Sequence, residues 1–183
     1  MARFFREYNY NVVISDLKEE NLIKAKEELD KISSEARVAY KVCNVSNLSE
    51  LEALMKFSIS EFNKVDIWIN NAGVNQPQKA IWELSESEIN TVIDVDLKGA
   101  IYGSKVAMEE MSKNHSGAIY NIEGYGSNDA HMLGLNMYGT SKPFFILHSL
   151  PFMRYIAISC HFLQLRFYTH FTSYCLLLLR FTS

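Results

Sequence analysis

Tyr138 and Lys142 stand four residues apart in Tyr138-Gly139-Thr140-Ser141-Lys142, a spacing that puts both side chains on one face of a helix, one turn apart. A free phenol titrates near about 10, too high for efficient proton exchange at neutral pH, and an adjacent ammonium stabilises the phenolate and lowers that value. The pair is an acid with its tuner, suited to proton transfer at a substrate oxygen. The spacing alone is common by chance on exposed helices. Further polar candidates come in short groups: Asp16, then Asn44-Val45, then Asn70-Asn71-Ala72-Gly73, then the turn Glu123-Gly124-Tyr125-Gly126-Ser127. Each follows a short apolar run.

Those runs define the elements that must hold the candidates. Val12-Val13-Ile14 is short and β-branched and reads as a strand buried on both faces. Asp16 with Glu19 has the spacing of a capping box, ahead of Leu22, Ile23, Ala25, Leu29 and Ile32 at helical spacing. Val38, Tyr40 and Val42 alternate as a second strand, and Asn47 with Glu50 opens a helix carrying Leu51, Leu54, Met55, Phe57 and Phe62. A third strand covers 65–69. Ser85 with Glu88 caps a long helix reaching Asn114, and a fourth strand covers 118–122. Strands alternating with helices of ten or more residues imply right-handed crossovers and a parallel sheet. Such α/β sheets, wound in both directions, bind ligands outside the carboxyl ends of their strands. Every candidate group falls there. An acid after a strand is most often only a helix cap, so the common placement carries more than any single residue.

Composition narrows the partners. Of 183 residues, 48% are hydrophobic and 21% charged, which excludes a collagen-like or wholly disordered chain. All 21 acids and all 8 glycines precede Pro143, whereas residues 143–183 hold 7 of the 11 Phe and three Arg as their only formal charges. The acidic main segment offers no basic stripe for nucleic acid. Cys43, Cys160 and Cys175 lack metal spacing, and no metal is expected. With no secretory signal visible and the thiols scattered, a reducing, cytoplasmic location is expected.

Three motifs taken together are specific: Asn70-Asn71-Ala72-Gly73 after a strand opening Val65-Asp66-Ile67, then Asp94-Val95-Asp96-Leu97-Lys98-Gly99, then Tyr138 to Lys142. In this combination the chain resembles the short-chain dehydrogenase/reductase family from Met1 to about Lys142, and within it the branch containing chlorophyll b reductases and their bacterial relatives. The resemblance implies a Rossmann-type sheet, a nicotinamide cofactor and a small-molecule carbonyl or alcohol substrate. Tyr138 matches the residue that exchanges the substrate proton, and Lys142 the one that lowers its pKa and holds the nicotinamide ribose. Asn70, Asn71, Ala72 and Gly73 match the segment passing the adenine ribose. Asp16 matches the acid that accepts both ribose hydroxyls and repels a 2′-phosphate, favouring NAD over NADP. Asn44 and Val45 lie where the family binds adenine, and the Asn44 amide oxygen is expected to accept from the adenine amino group.

Some positions depart from the family pattern. Gly124 stands where the serine that polarises the substrate oxygen usually is; Ser127, the nearest hydroxyl, is expected to take that role, with Tyr125 as its competitor. Asp96 replaces the asparagine that anchors a proton-relay water near the lysine. The family's opening strand and glycine-rich pyrophosphate turn are missing ahead of Met1, which is expected to leave two neighbouring strands with unpaired edges. Residues 1–142 are thus read as a partial dinucleotide-binding domain. Residues 143–183 are read as a non-family aromatic tail of out-of-frame or unspliced sequence, and the family's C-terminal strands as missing. The longest stretch of that tail without Lys, Arg or acid is 167–179, short of the roughly 20 residues a membrane span needs. The expected function is NAD(P)-dependent hydride transfer, weak or absent in this truncated form. A noncatalytic interaction protein using the half-sheet and tail is the alternative. Intact relatives are expected to be homo-oligomers.

Overall fold

The computed structural model describes residues 1–123, together with 160–166 and 175–179. Its centre is a six-stranded sheet in the order β2-β1-β6-β3-β4-β5. The strands are β1 (Asn11–Asp16), β2 (Val38–Val42), β3 (Ile67–Asn70), β4 (Gly117–Glu123), β5 (Cys160–Arg166) and β6 (Cys175–Leu179). The pairs β1–β2, β3–β4 and β4–β5 are parallel. Helices α1 (Ala2–Glu7), α2 (Glu19–Asp30), α3 (Leu48–Phe62), α4 (Glu86–Val92) and α5 (Gly99–Asn114) pack around it. This is the α/β, doubly wound architecture that the strand–helix alternation implies.

Side-chain alternation along the strands feeds two cores. Val13, Trp68 and Ile119 point to one face, where Leu51, Leu54 and Met55 of α3 and Val106, Ala107 and Met111 of α5 close over them. Val12, Ile14, Ile69 and Ile122 point to the other, under Leu22 and Leu29 of α2, with Ala2 and Phe5 of α1 alongside. Both faces of β1 are therefore dry, which is why its sequence is an unbroken β-branched run. The guanidinium of Arg6, itself buried, bonds Ser34 Oγ and the Ala36 carbonyl and so ties α1 to the turn before β2.

Two helix starts match the sequence reading. Asn47 Oδ1 accepts from Ser49 N at 3.1 Å, and Ser85 and Glu88 form a reciprocal box, Glu88 N donating to Ser85 Oγ and Ser85 N to Glu88 Oε2. Asp16 behaves differently. Helix α2 begins at Glu19 with Lys18 as its N-cap, and no side chain caps it. Asp16 lies a turn earlier, closing its own loop by accepting from Lys18 N at 2.7 Å. Between α4 and α5 the backbone widens into a π-helical stretch, Ile93–Lys98, that carries Asp96 inward.

The bare strand edges expected at the middle of the sheet are not found. β6 lies between β1 and β3, antiparallel to both, with Val13 and Trp68 both opposite Leu177. The physical reason is that two buried strands cannot leave their facing N–H and C=O groups unpaired, and the uncharged run Cys175-Leu176-Leu177-Leu178-Leu179 is available to pair them. β5 and β6 both come from the segment 143–183 that composition sets apart. Among the described residues, no helix is long and apolar enough to cross a membrane.

Candidate functional site

The sheet changes winding direction between β1 and β3: the chain moves outward to β2 on one side and to β4 and β5 on the other. The carboxyl ends of β1 and β3 flank that switch point, where open α/β sheets bind ligands. Asp16 ends β1 and Asn70 ends β3.

Asp16 is half-buried, and its Oδ1 takes hydrogen bonds from Lys18 N and from Asn21 Nδ2 at 3.2 Å. These two donors fix the carboxylate's aim, and its Oδ2 takes no hydrogen bond from the described residues. After β2, Asn44 Oδ1 accepts from both the backbone N and the hydroxyl of Ser46, at 3.0 and 2.7 Å, while Asn44 N donates to Glu50 Oε2 at 2.7 Å. Both lone pairs of that amide oxygen are thereby engaged in a local turn. The expected acceptor role toward adenine does not fit this arrangement. Val45 is half-buried against α5, where a Cβ on Gly99 would come within 2.8 Å of Val45 Cγ2.

Asn70 sits in a buried polar knot. Its Nδ2 donates to Asn121 Oδ1 on β4 at 2.8 Å and to Ser104 Oγ on α5 at 2.9 Å, and its Oδ1 accepts from Trp68 Nε1 at 2.7 Å. Asn70 and Asn121 are 8% and 4% exposed, so each of these bonds replaces one to water. The knot forms because α5 comes close at Gly103: any Cβ there would stand well inside van der Waals contact with Asn70 Oδ1 and 3.0 Å from Trp68 Nε1. Asn71, Ala72 and Gly73 leave this anchor half-exposed across the carboxyl edge. The far end of the loop is pinned by Asp96, 1% exposed, whose Oδ1 accepts from Val74 N at 2.8 Å.

The structure thus brings Asp16, Asn70 to Gly73 and Asp96 to one edge of the sheet. Tyr138, Lys142 and Ser127 lie outside the described residues. Sequence reading passed over Trp68, Ser104 and Gly103. Trp68 was legible only as core, and the other two sit in an unremarkable helix. His115 caps the end of α5 in the left-handed conformation, φ 50°, and takes no part in the edge. Among the described residues no cluster of three or more His, Cys, Asp and Glu side chains is arranged to hold a metal ion.

As a cofactor cradle the edge is half complete. The Asp16 carboxylate offers a fixed acceptor, and Ala72 and Gly73 are the small residues of the loop beside it. A pyrophosphate needs backbone donors at a helix N-terminus, and β6, the strand at the switch point, starts at this edge rather than ending there in a turn and helix.

The profile of the short chain dehydrogenase family matches residues 1–150. The probable chlorophyll(ide) b reductase of Arabidopsis thaliana is 34% identical over 124 residues, 67% of this chain and 25% of the relative. A diacetyl reductase, (S)-acetoin forming, of Staphylococcus epidermidis is 30% identical over 134 residues, 73% of this chain and 51% of the relative. The chain therefore spans between a quarter and about half of these curated relatives. Among solved structures, the closed form of serine dehydrogenase complexed with NADP+ superimposes with a TM-score of 0.80 at 23% identity, over 90% of this chain and 64% of the other.

Proposed function

Because the chain belongs to the short-chain dehydrogenase/reductase family, we propose that it carries the site of a NAD(P)-dependent oxidoreductase acting on a small-molecule carbonyl or secondary alcohol. One observation supports this most: Asp16 and the loop 70–73 converge on the carboxyl edge at the switch point, with that loop anchored at one end by the Asn70 knot and at the other by Asp96. The bound dinucleotide supplies a hydride at nicotinamide C4. Tyr138 gives or takes the proton at the substrate oxygen, Ser127 polarises that oxygen, and Lys142 lowers the tyrosine pKa and holds the ribose. Asp96 acts by fixing the backbone at Val74, a positioning role.

The Asp16 carboxylate favours NAD over NADP, since a 2′-phosphate would meet its negative charge. Binding is weak in the 183-residue chain, because among the described residues no helix N-terminus stands behind the central strand to receive the pyrophosphate. Fluorescence titration of NADH and NADPH tests both points. The expected result is weak NADH binding, weaker NADPH binding, loss of both in Lys142→Ala, and a narrowed difference in Asp16→Ala. Equal affinities in the unmodified chain would overturn the NAD preference, and tight NADH binding would overturn the account of the pyrophosphate. The presence of β6 at the centre also favours a second reading, a noncatalytic member that uses its sheet for protein contact. Complete absence of binding by either nucleotide to the folded chain selects it.

A further inference from the structure

One side chain outside the sheet controls how the Asp16 carboxylate is presented. Asp16 ends β1 half-buried, and its Oδ1 accepts from two elements: from Lys18 N at 2.7 Å in the loop, and from Asn21 Nδ2 at 3.2 Å in the first turn of α2. A carboxylate offers about four acceptor positions, two on each oxygen. The two bonds therefore occupy Oδ1 and leave the pair on Oδ2, which takes no hydrogen bond from the described residues. A vicinal diol has two hydroxyls to give.

Neither bond fixes the group alone. The terminal torsion of an aspartate is broad, so a carboxylate tethered only at Lys18 N turns about that contact and spreads its charge over a range of directions. The second donor, arriving from α2, ends that freedom. Asn21 is placed to do so for a local reason: its backbone N–H is bonded to the Lys18 carbonyl at 3.2 Å, which sets the turn independently of the side chain and leaves the side-chain amide to reach back to β1. Asparagine is a poorer helix former than alanine, so helix formation itself does not call for it here. Given the oxidoreductase function proposed for this edge, we propose that Asn21 is a positioning residue that sets the preference for a nucleotide with an unmodified ribose diol. By occupying Oδ1 it aims Oδ2 at the two hydroxyls and keeps the negative charge turned toward any 2′-phosphate. Asn21 acts through Asp16 and makes no contact with the nucleotide.

Two measurements test this, the first without nucleotide. With asparagine side chains labelled with nitrogen-15, the Asn21 amide is the signal that disappears in Asn21→Ala. In Asp16→Ala that signal is expected to move to the position of a solvated amide, because a charged acceptor has gone. A signal that stays in place overturns the bond on which the role depends. The second measurement is the ratio of NADH to NADPH affinity, by fluorescence titration of the unmodified chain, Asp16→Ala, Asn21→Ala and the double variant. Alanine is the stronger helix former, so Asn21→Ala keeps α2. It is expected to weaken NADH by roughly 2- to 10-fold, the worth of one ordinary hydrogen bond, to leave NADPH no weaker, and to add nothing once Asp16 is alanine. An unchanged ratio in Asn21→Ala, with a narrowed ratio in Asp16→Ala, overturns the role of Asn21 and spares the oxidoreductase assignment. An effect of Asn21→Ala on the ratio that persists in the double variant also overturns it, because the residue then acts otherwise than through Asp16. If Asp16→Ala leaves the ratio unchanged, or the unmodified chain binds neither nucleotide, the use of Asp16 fails first and the role of Asn21 falls with it.

Discussion

The indole Nε1 of Trp68 donates to Oδ1 of Asn70 at 2.7 Å, two residues along the same strand. Alternating residues share a face of a strand, so this bond turns the largest fully buried side chain into a clamp on the asparagine that begins the ligand-edge loop. With Oδ1 taken, Nδ2 is left to reach Asn121 and Ser104, and β3, β4 and α5 are joined through one amide. Trp68→Phe keeps a six-membered ring, removes the donor and leaves a small cavity that adds to the loss. A buried acceptor left unpaired costs about 1–3 kcal/mol. The expected outcome is a lower urea midpoint with an unchanged slope, and an unchanged midpoint would show that the bond contributes nothing.

Gly103→Ala sets two effects against each other. Alanine is favoured over glycine inside a helix by about 1 kcal/mol. The new methyl, however, would collide with Asn70 Oδ1 and crowd Trp68 Nε1, and overpacking of this kind costs about 1–3 kcal/mol. The clash wins, because both atoms belong to buried groups that are already hydrogen-bonded and have little room to move. The variant is expected to be destabilised in chemical denaturation, where propensity alone predicts the opposite sign.

Asp96→Ala removes the acceptor of the Val74 amide, while Asp96→Asn keeps an oxygen there. A buried donor left without its acceptor costs about 1–3 kcal/mol. Amide exchange at Val74 should therefore quicken by roughly 10- to 100-fold in the alanine variant and much less in the asparagine variant. Equal exchange in all three proteins would remove Asp96 from its positioning role.

Glu88 titrates low. The Lys79 ammonium bonded to its carboxylate at 2.7 Å, followed by the Ser85 backbone and hydroxyl donors, holds its pKa at about 2 against the ordinary 4.5. A depressed carboxyl contributes stability that is fully present above its ordinary value and drains away as pH falls from about 4.5 toward 2. Carbon-detected titration of the Glu88 carboxyl should find the low midpoint, and Lys79→Ala should move it back toward the ordinary range. Ser85→Ala, which deletes the cap itself, is expected to cost about 1 kcal/mol of stability.

Much of this was readable from residue order. The first four strands announce themselves as short β-branched or alternating runs, and Asn70 to Gly73 and Asp16 fall at their ends because a parallel sheet presents every strand end to the same edge. Local chemistry was harder. Asp16 and Glu19 have the spacing of a capping box, yet a carboxylate two residues before a backbone N–H closes its own turn just as well, and that is what forms. Asn44 looked like an open acceptor until Ser46, two residues on, turned out to use its oxygen twice. The position of β6 was hidden for a different reason. Periodicity identifies an apolar strand but carries no record of which strands it lies between, and a composition unlike the rest of the chain argued for setting it aside.

The placement of β6 ties the centre of the sheet to residues far from it in sequence. Asn11 is paired with Leu179 and Ile67 with Leu178, so a change within Cys175–Leu179 strikes the middle of the sheet rather than its periphery. During synthesis, too, β1 must wait for residues 175–179 to be made before its second edge is covered, a long-range closure that slows folding and prolongs exposure of an apolar edge to aggregation.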